Sequence, residues 1–366
     1  MHSLLFLPDI SGFTKFMQET EIEHSQHIIQ ELLEVIINAN SINLKVAEIE
    51  GDAIFFYRLG EPPAFEVIIG QIKNMFLRFH IYIRELERDR VCECGACRTA
   101  INLSLKFVVH FGEVSFSKIK EHTKLIGSDV IIAHRLLKNN INDQEYVLFS
   151  SKYIQIAGEK ENTLEAHCVK IQKGSTSYEH LGKINYTFIL LSPLKSEIPE
   201  IILEERARRY KKPIIVQKEI KTSMSLIYNT IIDLSLRIKW AYGLRDIKYD
   251  KNEIPRIGAK HICAFPIGDV ELETVERKLK KGIIEYAERA TNMKIVKNAT
   301  TFYILKETTA GTTVSFEFHY KPLFILGNLI DVFLRPSMKK SLNKSLLNLK
   351  HFCEQRLSNA LKAQKR

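Results

Sequence analysis

No run of apolar residues in this chain reaches the ~18 that a membrane-spanning helix needs. The longest candidate, Pro322 to Pro336, is too short and carries Asp331 and Arg335. The N-terminus lacks a charged leader with a small-residue cleavage site, and Ser3-Leu4-Leu5-Phe6-Leu7 enters a strand pattern at once. Internal repeats and low-complexity tracts are missing as well. Cysteine is scarce, six in 366 residues, and three of the six fall between positions 92 and 97, which is no secreted disulfide framework. These absences argue against membrane-spanning, secreted and repeat classes, and a cytoplasmic protein is expected. With 45% hydrophobic and 26% charged residues, the chain is neither disordered nor fibrous.

At roughly 150 residues per domain, the length suggests two domains. The charge divides the same way. Residues 1–192 carry 20 Lys+Arg against 24 Asp+Glu, and the rest carry 33 against 19. We therefore expect domains at 1–192 and 213–360 with a linker at 193–212, which closes on the charged run from Glu204 to Lys212. Dispersed basic residues of this kind read as a solvated surface rather than a nucleic-acid patch.

The first half alternates strands and helices. Leu4–Leu7 reads as a strand, residues 24–40 as an amphipathic helix, and Leu44–Ile49 with Ala53–Tyr57 as a hairpin turning at Glu50-Gly51-Asp52. A long helix from Ala64 to about Arg90 follows, then a strand from Leu103 to His110 that Phe111-Gly112-Glu113 is expected to turn. A helix at Gly127–Lys138 and a strand at Tyr146–Ser150 complete an α+β sandwich of the palm (ferredoxin-like) type. In the second half, a strand (Ile214–Ile220) and a helix (Ser223–Trp240) precede five β segments between His261 and His319. One long helix, about Leu323 to Leu357, closes the chain.

Phe6-Leu7-Pro8-Asp9-Ile10-Ser11-Gly12-Phe13-Thr14 puts a carboxylate at a strand end before a turn into a helix, and Asp52 sits at a hairpin tip. In a palm-type sheet these positions adjoin, so two carboxylates converge where they suit Mg²⁺ or Mn²⁺. Backbone N–H groups around Gly12, Phe13 and Thr14 suit a polyphosphate. This pattern resembles the class III nucleotidyl cyclases, as do Val108-Val109-His110-Phe111-Gly112-Glu113-Val114 and the segment from Leu125 to Leu136. The resemblance covers residues 4 to 190. It implies metal binding by Asp9, Ile10 and Asp52, phosphoryl-charge stabilisation by Arg135 across a homodimer interface, and base reading by Glu48 and Lys124. Glutamate and lysine there suit guanine, hence GTP; the alternative is an ordinary ion pair that reads no base. Ile131 stands where the family has a ribose-steadying asparagine, a loss on the order of 10²-fold if it equals one transition-state donor. Activity and an inactive nucleotide- or metal-binding relic both remain open.

Cys92-Glu93-Cys94-Gly95-Ala96-Cys97 brings three thiols within reach of one soft ion. Zn²⁺ wants a fourth ligand, for which His80, His110, His122 or a partner subunit are candidates. A Cys94/Cys97 redox pair or no special role are the alternatives. Cys168, Cys263 and Cys353 read as core residues.

From about Lys212 onward the pattern resembles the START-like (polyketide-cyclase-like, SRPBCC) helix-grip superfamily, carried by Val216–Ile220, Ser225–Asp233, Arg256–His261 and the closing helix. It implies an antiparallel sheet around a long C-terminal helix, with a cavity for a lipid or other hydrophobic small molecule. Trp240, Tyr242, His261, Phe265, Tyr286, Phe302, Phe316, Phe318 and His319 are candidate lining residues, with core packing as the alternative for most of them. The expectation is a signalling protein whose cyclase-like domain is coupled to this ligand-binding domain. A lipid carrier with a merely dimerising first domain is a further reading.

Overall fold

The strand patterns of the two halves assemble into two separate seven-stranded sheets. The computed structural model describes residues 1–20, 22–157, 171–200, 207–250, 254–266, 268–293, 296–322 and 327–363, in a mixed α+β architecture. Two units result: Met1–Glu87 with Cys94–Ile201, and Arg88–Glu93 with Ile202–Arg366.

In the first unit β1 (His2–Ser11) is central, and from Ser3 onward every residue of it is buried. It runs antiparallel to β3 (Ala53–Leu59) on one side and to β4 (Ser104–Glu113) on the other. The sheet order is β2-β3-β1-β4-β7-β9-β8, with β2 at Lys45–Glu50, β7 (Tyr146–Ser150) parallel to β4, β8 at Ile171–Tyr178 and β9 at Gly182–Leu190. A hairpin, β5 (Ser115–Ile119) and β6 (His122–Ile126), stands apart. Among the described residues the α-helices are α1 (Phe13–Glu19), α2 (Ile22–Asn38), α3 (Phe65–Asp89), α4 (Gly95–Thr99), α5 (Ser128–Leu136) and α6 (Ser151–Ile156). Helical spacing of Phe65, Ile68, Ile72, Met75, Phe76 and Phe79 gives α3 a continuous buried stripe.

The expected turn at Phe111-Gly112-Glu113 does not form. β4 runs straight through it, with Gly112 opposite Ser3. Glycine is needed there for room: a Cβ would lie 2.1 Å from Asp129 Cγ. Replacing Gly112 with Ala therefore forces apart a packed strand and helix. A loss of about 3 kcal/mol is expected by urea unfolding, the upper end of overpacking costs, and a loss below 0.5 kcal/mol on the order of surface changes would refute the close approach.

In the second unit the order is β10-β16-β15-β14-β13-β12-β11, all antiparallel. The strands are β10 (Ile214–Ile220), β11 (Asp246–Lys248), β12 (Lys260–Phe265), β13 (Gly268–Lys280), β14 (Ile283–Ala290), β15 (Val296–Thr308) and β16 (Gly311–Pro322). The helix expected over Ser223–Trp240 is two, α7 (Met224–Ile232) and α8 (Leu234–Trp240). Asp233 leaves helical geometry at ψ 101 and caps α8 by accepting from the Ser235 N–H. The closing helix α9 spans Gly327–Ala363 with Pro336 inside it; the start expected at Leu323 lies outside the described residues, as do Cys168 and residues 201–206 of the linker. The Arg88–Glu93 segment joins this unit through Val91 N–H to the Pro255 carbonyl (2.9 Å) and Tyr228 Oη–H to the Val91 carbonyl (2.7 Å).

Candidate functional site

Strand β1 delivers Asp9, and the turn between β2 and β3 delivers Asp52. Antiparallel pairing sets Asp9 opposite Ala53, and the Ile10 N–H donates to the Asp52 carbonyl at 3.0 Å. The two aspartates are thereby brought together, close enough for the charge of Asp9 to act on the Asp52 carboxyl. Burial, then the negative charge of Asp9, push the Asp52 pKa up to about 6. Asp9 is itself buried, and Ile10 beside it is 1% exposed.

Lys106 completes this group. It lies directly opposite Asp9 on β4, with Nζ 3.1 Å from Asp9 Oδ2. Sequence reasoning missed it, although a single lysine inside Leu105-Lys106-Phe107 is a legible sign. Gly12 follows at the N-cap of α1 with φ 88, a left-handed conformation that glycine adopts without strain. It turns the chain so that Phe13 and Thr14 open the helix.

Glu48 on β2 and Lys124 on β6, the expected base-reading pair, face each other 3.4 Å apart and partly exposed. Arg135 is exposed on α5, and Ile131 on the same helix is 53% exposed. The start of α5 is pinned from below. Asp129 accepts from the Glu113 N–H at 2.7 Å and from Lys152 Nζ at 2.9 Å. His110 Nε2 lies 2.9 Å from its Oδ1, and His110 Nδ1 lies 2.6 Å from Ser150 Oγ. Ser150 Oγ accepts from the Tyr153 N–H, so its own hydrogen goes to Nδ1 and the imidazole donates to Asp129 through Nε2. Burial lowers the His110 pKa, in keeping with a neutral ring. Ser150 and His110 are each 1% exposed, so this Ser–His–Asp arrangement is a buried brace, closed to substrate.

Cys94 caps α4, with Cys97 three residues on at N3. That spacing brings the Cys97 N–H to Cys94 Sγ at 3.4 Å and sets both sulfurs on one side. The imidazole that meets them belongs to His24 of α2, with Nδ1 3.2 Å from Cys94 Sγ and 3.6 Å from Cys97 Sγ. His80 and His110 are engaged elsewhere, with Glu145 and Asp129; the His122 side chain lies outside the described residues. Seventy residues separate His24 from Cys94, and nothing local in the sequence joins them.

In the second unit Trp240, His261, Tyr286, Phe302, Phe316 and Phe318 are buried, Phe265 is half-buried and Tyr242 is exposed under Lys344. The buried aromatics pack on one another, with Tyr303 against Phe316 at 4.8 Å and against Tyr286 at 5.7 Å between ring centroids. A charged pair unforeseen from the sequence sits among them. Arg237 donates to both oxygens of Glu288, at 2.6 and 2.7 Å, and Tyr286 donates to the same carboxylate at 2.7 Å. Arg237 also donates to His261 Nε2 at 3.2 Å, which requires a neutral ring. His319 takes the Tyr210 N–H at 2.8 Å. In the basic run, Arg209 pairs with Glu285 and Glu317 and lies over the Phe302 ring.

Against known proteins, a family model described as "Protein of unknown function (DUF2652)" matches residues 29–146, which include Asp52, the three clustered cysteines and Arg135. A curated relative, "Uncharacterized protein Rv2561/Rv2562" of Mycobacterium tuberculosis, is 36% identical over 134 residues, 37% of this chain; the chain spans 62% of that protein's length. Among solved structures, the guanylate cyclase domain of RhGC from Catenaria anguillulae in complex with GTP is 17% identical. That match covers 51% of this chain and 95% of that one at a TM-score of 0.37. The guanylyl cyclase Cya2 is 14% identical over 52% of this chain and 91% of its own (TM-score 0.36). A bacterial light-regulated adenylyl cyclase is 11% identical over 51% of each chain (TM-score 0.37). No helix among the described residues is long and apolar enough to cross a membrane.

Proposed function

We propose that the first unit is a nucleotidyl cyclase-like module that binds a nucleoside triphosphate together with divalent cations at Asp9 and Asp52. The observation that carries this reading is the convergence of those two residues at the head of the β1–α1 turn, set by the Asp9–Ala53 register and the Ile10 N–H bond to the Asp52 carbonyl. Two converging carboxylates fit Mg²⁺ or Mn²⁺, and a divalent cation would relieve the repulsion between them. Ile10, between them, is the further ligand that the cyclase resemblance implies. Bound there, the cations would supply charge neutralisation and acidify the ribose 3′-hydroxyl.

The chain's own residues do the rest. Phe13 and Thr14, at the start of α1, offer backbone N–H groups that no helical carbonyl takes, suited to phosphate oxygens. Exposed Arg135 is free to serve a second copy in a homodimer, where it stabilises charge as the 3′-oxygen bonds to the α-phosphorus. The α-phosphorus–oxygen bond to pyrophosphate then breaks, and the 3′-hydroxyl proton leaves to solvent. Glu48 and Lys124 favour guanine if their ion pair opens toward a base.

Exposed Ile131 favours a second reading, a module that binds nucleotide and metal without cyclising it, because an apolar side chain cannot steady the ribose. For the second unit, the sheet and the long α9 support a hydrophobic-ligand module. Its expected lining residues form a packed aromatic core around Arg237–Glu288, which argues for a small or polar ligand if one binds. Solvent extraction and mass spectrometry of the purified protein test that point.

The test of the first reading is turnover with Mg²⁺ or Mn²⁺ and each of ATP, GTP, CTP and UTP, with Asp9→Ala as control. A cyclic product lost in the variant supports the enzyme. Silence together with Asp9-dependent nucleotide binding supports the second reading, and the absence of both refutes the site.

A further inference from the structure

We propose that His24, Cys92, Cys94 and Cys97 form a structural Zn²⁺ site, independent of the Asp9–Asp52 centre. In the first unit one imidazole nitrogen, His24 Nδ1, faces two sulfurs, Cys94 Sγ and Cys97 Sγ, and Cys92 supplies a third thiol two residues away along the chain. With Zn–S near 2.3 Å and Zn–N near 2.0–2.1 Å, a tetrahedral centre sets N···S edges of about 3.5 Å and S···S edges of about 3.8 Å. The two N···S distances here, 3.2 and 3.6 Å, straddle the first value before any ion is present. Hydrogen bonding alone explains this arrangement poorly. An imidazole nitrogen has one lone pair, and here a single Nδ1 lies against two sulfurs at once. A metal ion at the centroid satisfies all four donors together.

The donor set selects the ion. Three thiolates and an imidazole suit Zn²⁺, whereas hard Mg²⁺ and Ca²⁺ prefer oxygen. Four protein ligands leave no open position, so the site is structural and not catalytic. Burial argues against a Cys94/Cys97 redox pair: Cys94 is half-buried and Cys97 is 3% exposed, so an exchange partner has little access to Cys97. Cys92 stands two residues before Cys94, close enough along the chain to follow it into the cluster. The site also accounts for His24, since α2 and the cysteine loop are otherwise remote in sequence.

The experiment is metal analysis of the full chain purified without added metal. The expected result is one zinc per chain, released stoichiometrically when the thiols are blocked. Exchange for Co²⁺ should give tetrahedral d–d bands with thiolate charge transfer. His24→Ala should weaken binding by more than the roughly 10–100-fold typical of outer-shell changes. His24→Cys should restore tight binding with a four-thiolate cobalt spectrum, which separates ligand loss from misfolding. Substoichiometric zinc, a Cys94–Cys97 disulfide in the fresh protein, or a His24→Ala variant that binds as tightly as the parent would each overturn the site. None of these readouts involves nucleotide turnover, so the outcome is distinct from that of the cyclase test.

Discussion

Asp52→Asn should make the metal-free protein more stable while abolishing cation-dependent function. Asp52 titrates at about 6 in the fold against 3.8 ordinarily, because burial and the charge of Asp9 both disfavour its ionised form. A shift of this size corresponds to at most about 3 kcal/mol. Lys106 and partial solvent contact make about 1–2 kcal/mol the working expectation. The sign follows from linkage. Below the unfolded pKa both states are protonated and no penalty exists. As pH rises through about 6 the folded state must ionise against its surroundings, and stability is lost. Asparagine removes that titration. In urea unfolding with EDTA, the variant's advantage should therefore open between pH 4 and 6 and stay constant above. Millimolar Mg²⁺ or Mn²⁺ should stabilise the parent and leave the variant unmoved. A variant no more stable than the parent at pH 7.5 would show that the carboxylates are not in conflict.

A larger loss is expected from Glu288→Gln. Arg237 and Glu288 are 3% and 1% exposed, and removing one charge strands the other in a dry interior. Breaking such a pair costs about 3–5 kcal/mol, whereas replacing both partners by apolar residues of similar size often costs little. Glu288→Gln should thus unfold the second unit at much lower denaturant, and the double change Arg237→Met/Glu288→Leu should recover most of the loss. Trp240, the single tryptophan, is buried in this unit with Arg237 5.4 Å from its ring, so its fluorescence reports the transition directly. A single-variant loss under about 1 kcal/mol would be a surface-pair value and would contradict the buried geometry.

The same cluster fixes the acid response. Burial, reinforced by Arg237 and opposed by Glu288, holds His261 down to about 4. Arg237 holds Glu288 down to about 2 in spite of burial. Both folded values lie below the unfolded ones, so both contributions are present at neutral pH. The His261 part fades as pH falls from about 6.5 to 4, the Glu288 part from about 4.5 to 2. His261→Gln should flatten the upper step and leave the lower one.

Much of the β framework was legible because alternation and turn chemistry act between near neighbours. The β2–β3 hairpin lies within a residue or two of its expected limits, and β7 coincides with Tyr146–Ser150. Gly112 was open to misreading because a glycine signals a turn and a close approach equally well, and only Asp129 beneath it decides between them. Asp233 broke an apparently continuous helix because an aspartate serves as readily for a cap as for an exposed helical position.

Sequence alone carries the opposite net charges of residues 1–192 and the rest, Asp9 near the end of a strand and Asp52 at a hairpin tip, and three clustered sulfurs. Tertiary structure decided which groups face them: Lys106 across the β1–β4 ladder, His24 against the cysteine loop, and Arg237 with Glu288 among the aromatics. Propensity and periodicity are local and survive in a one-dimensional pattern. A pairing between residues tens of positions apart depends on register and packing, which exist only once the chain has closed on itself.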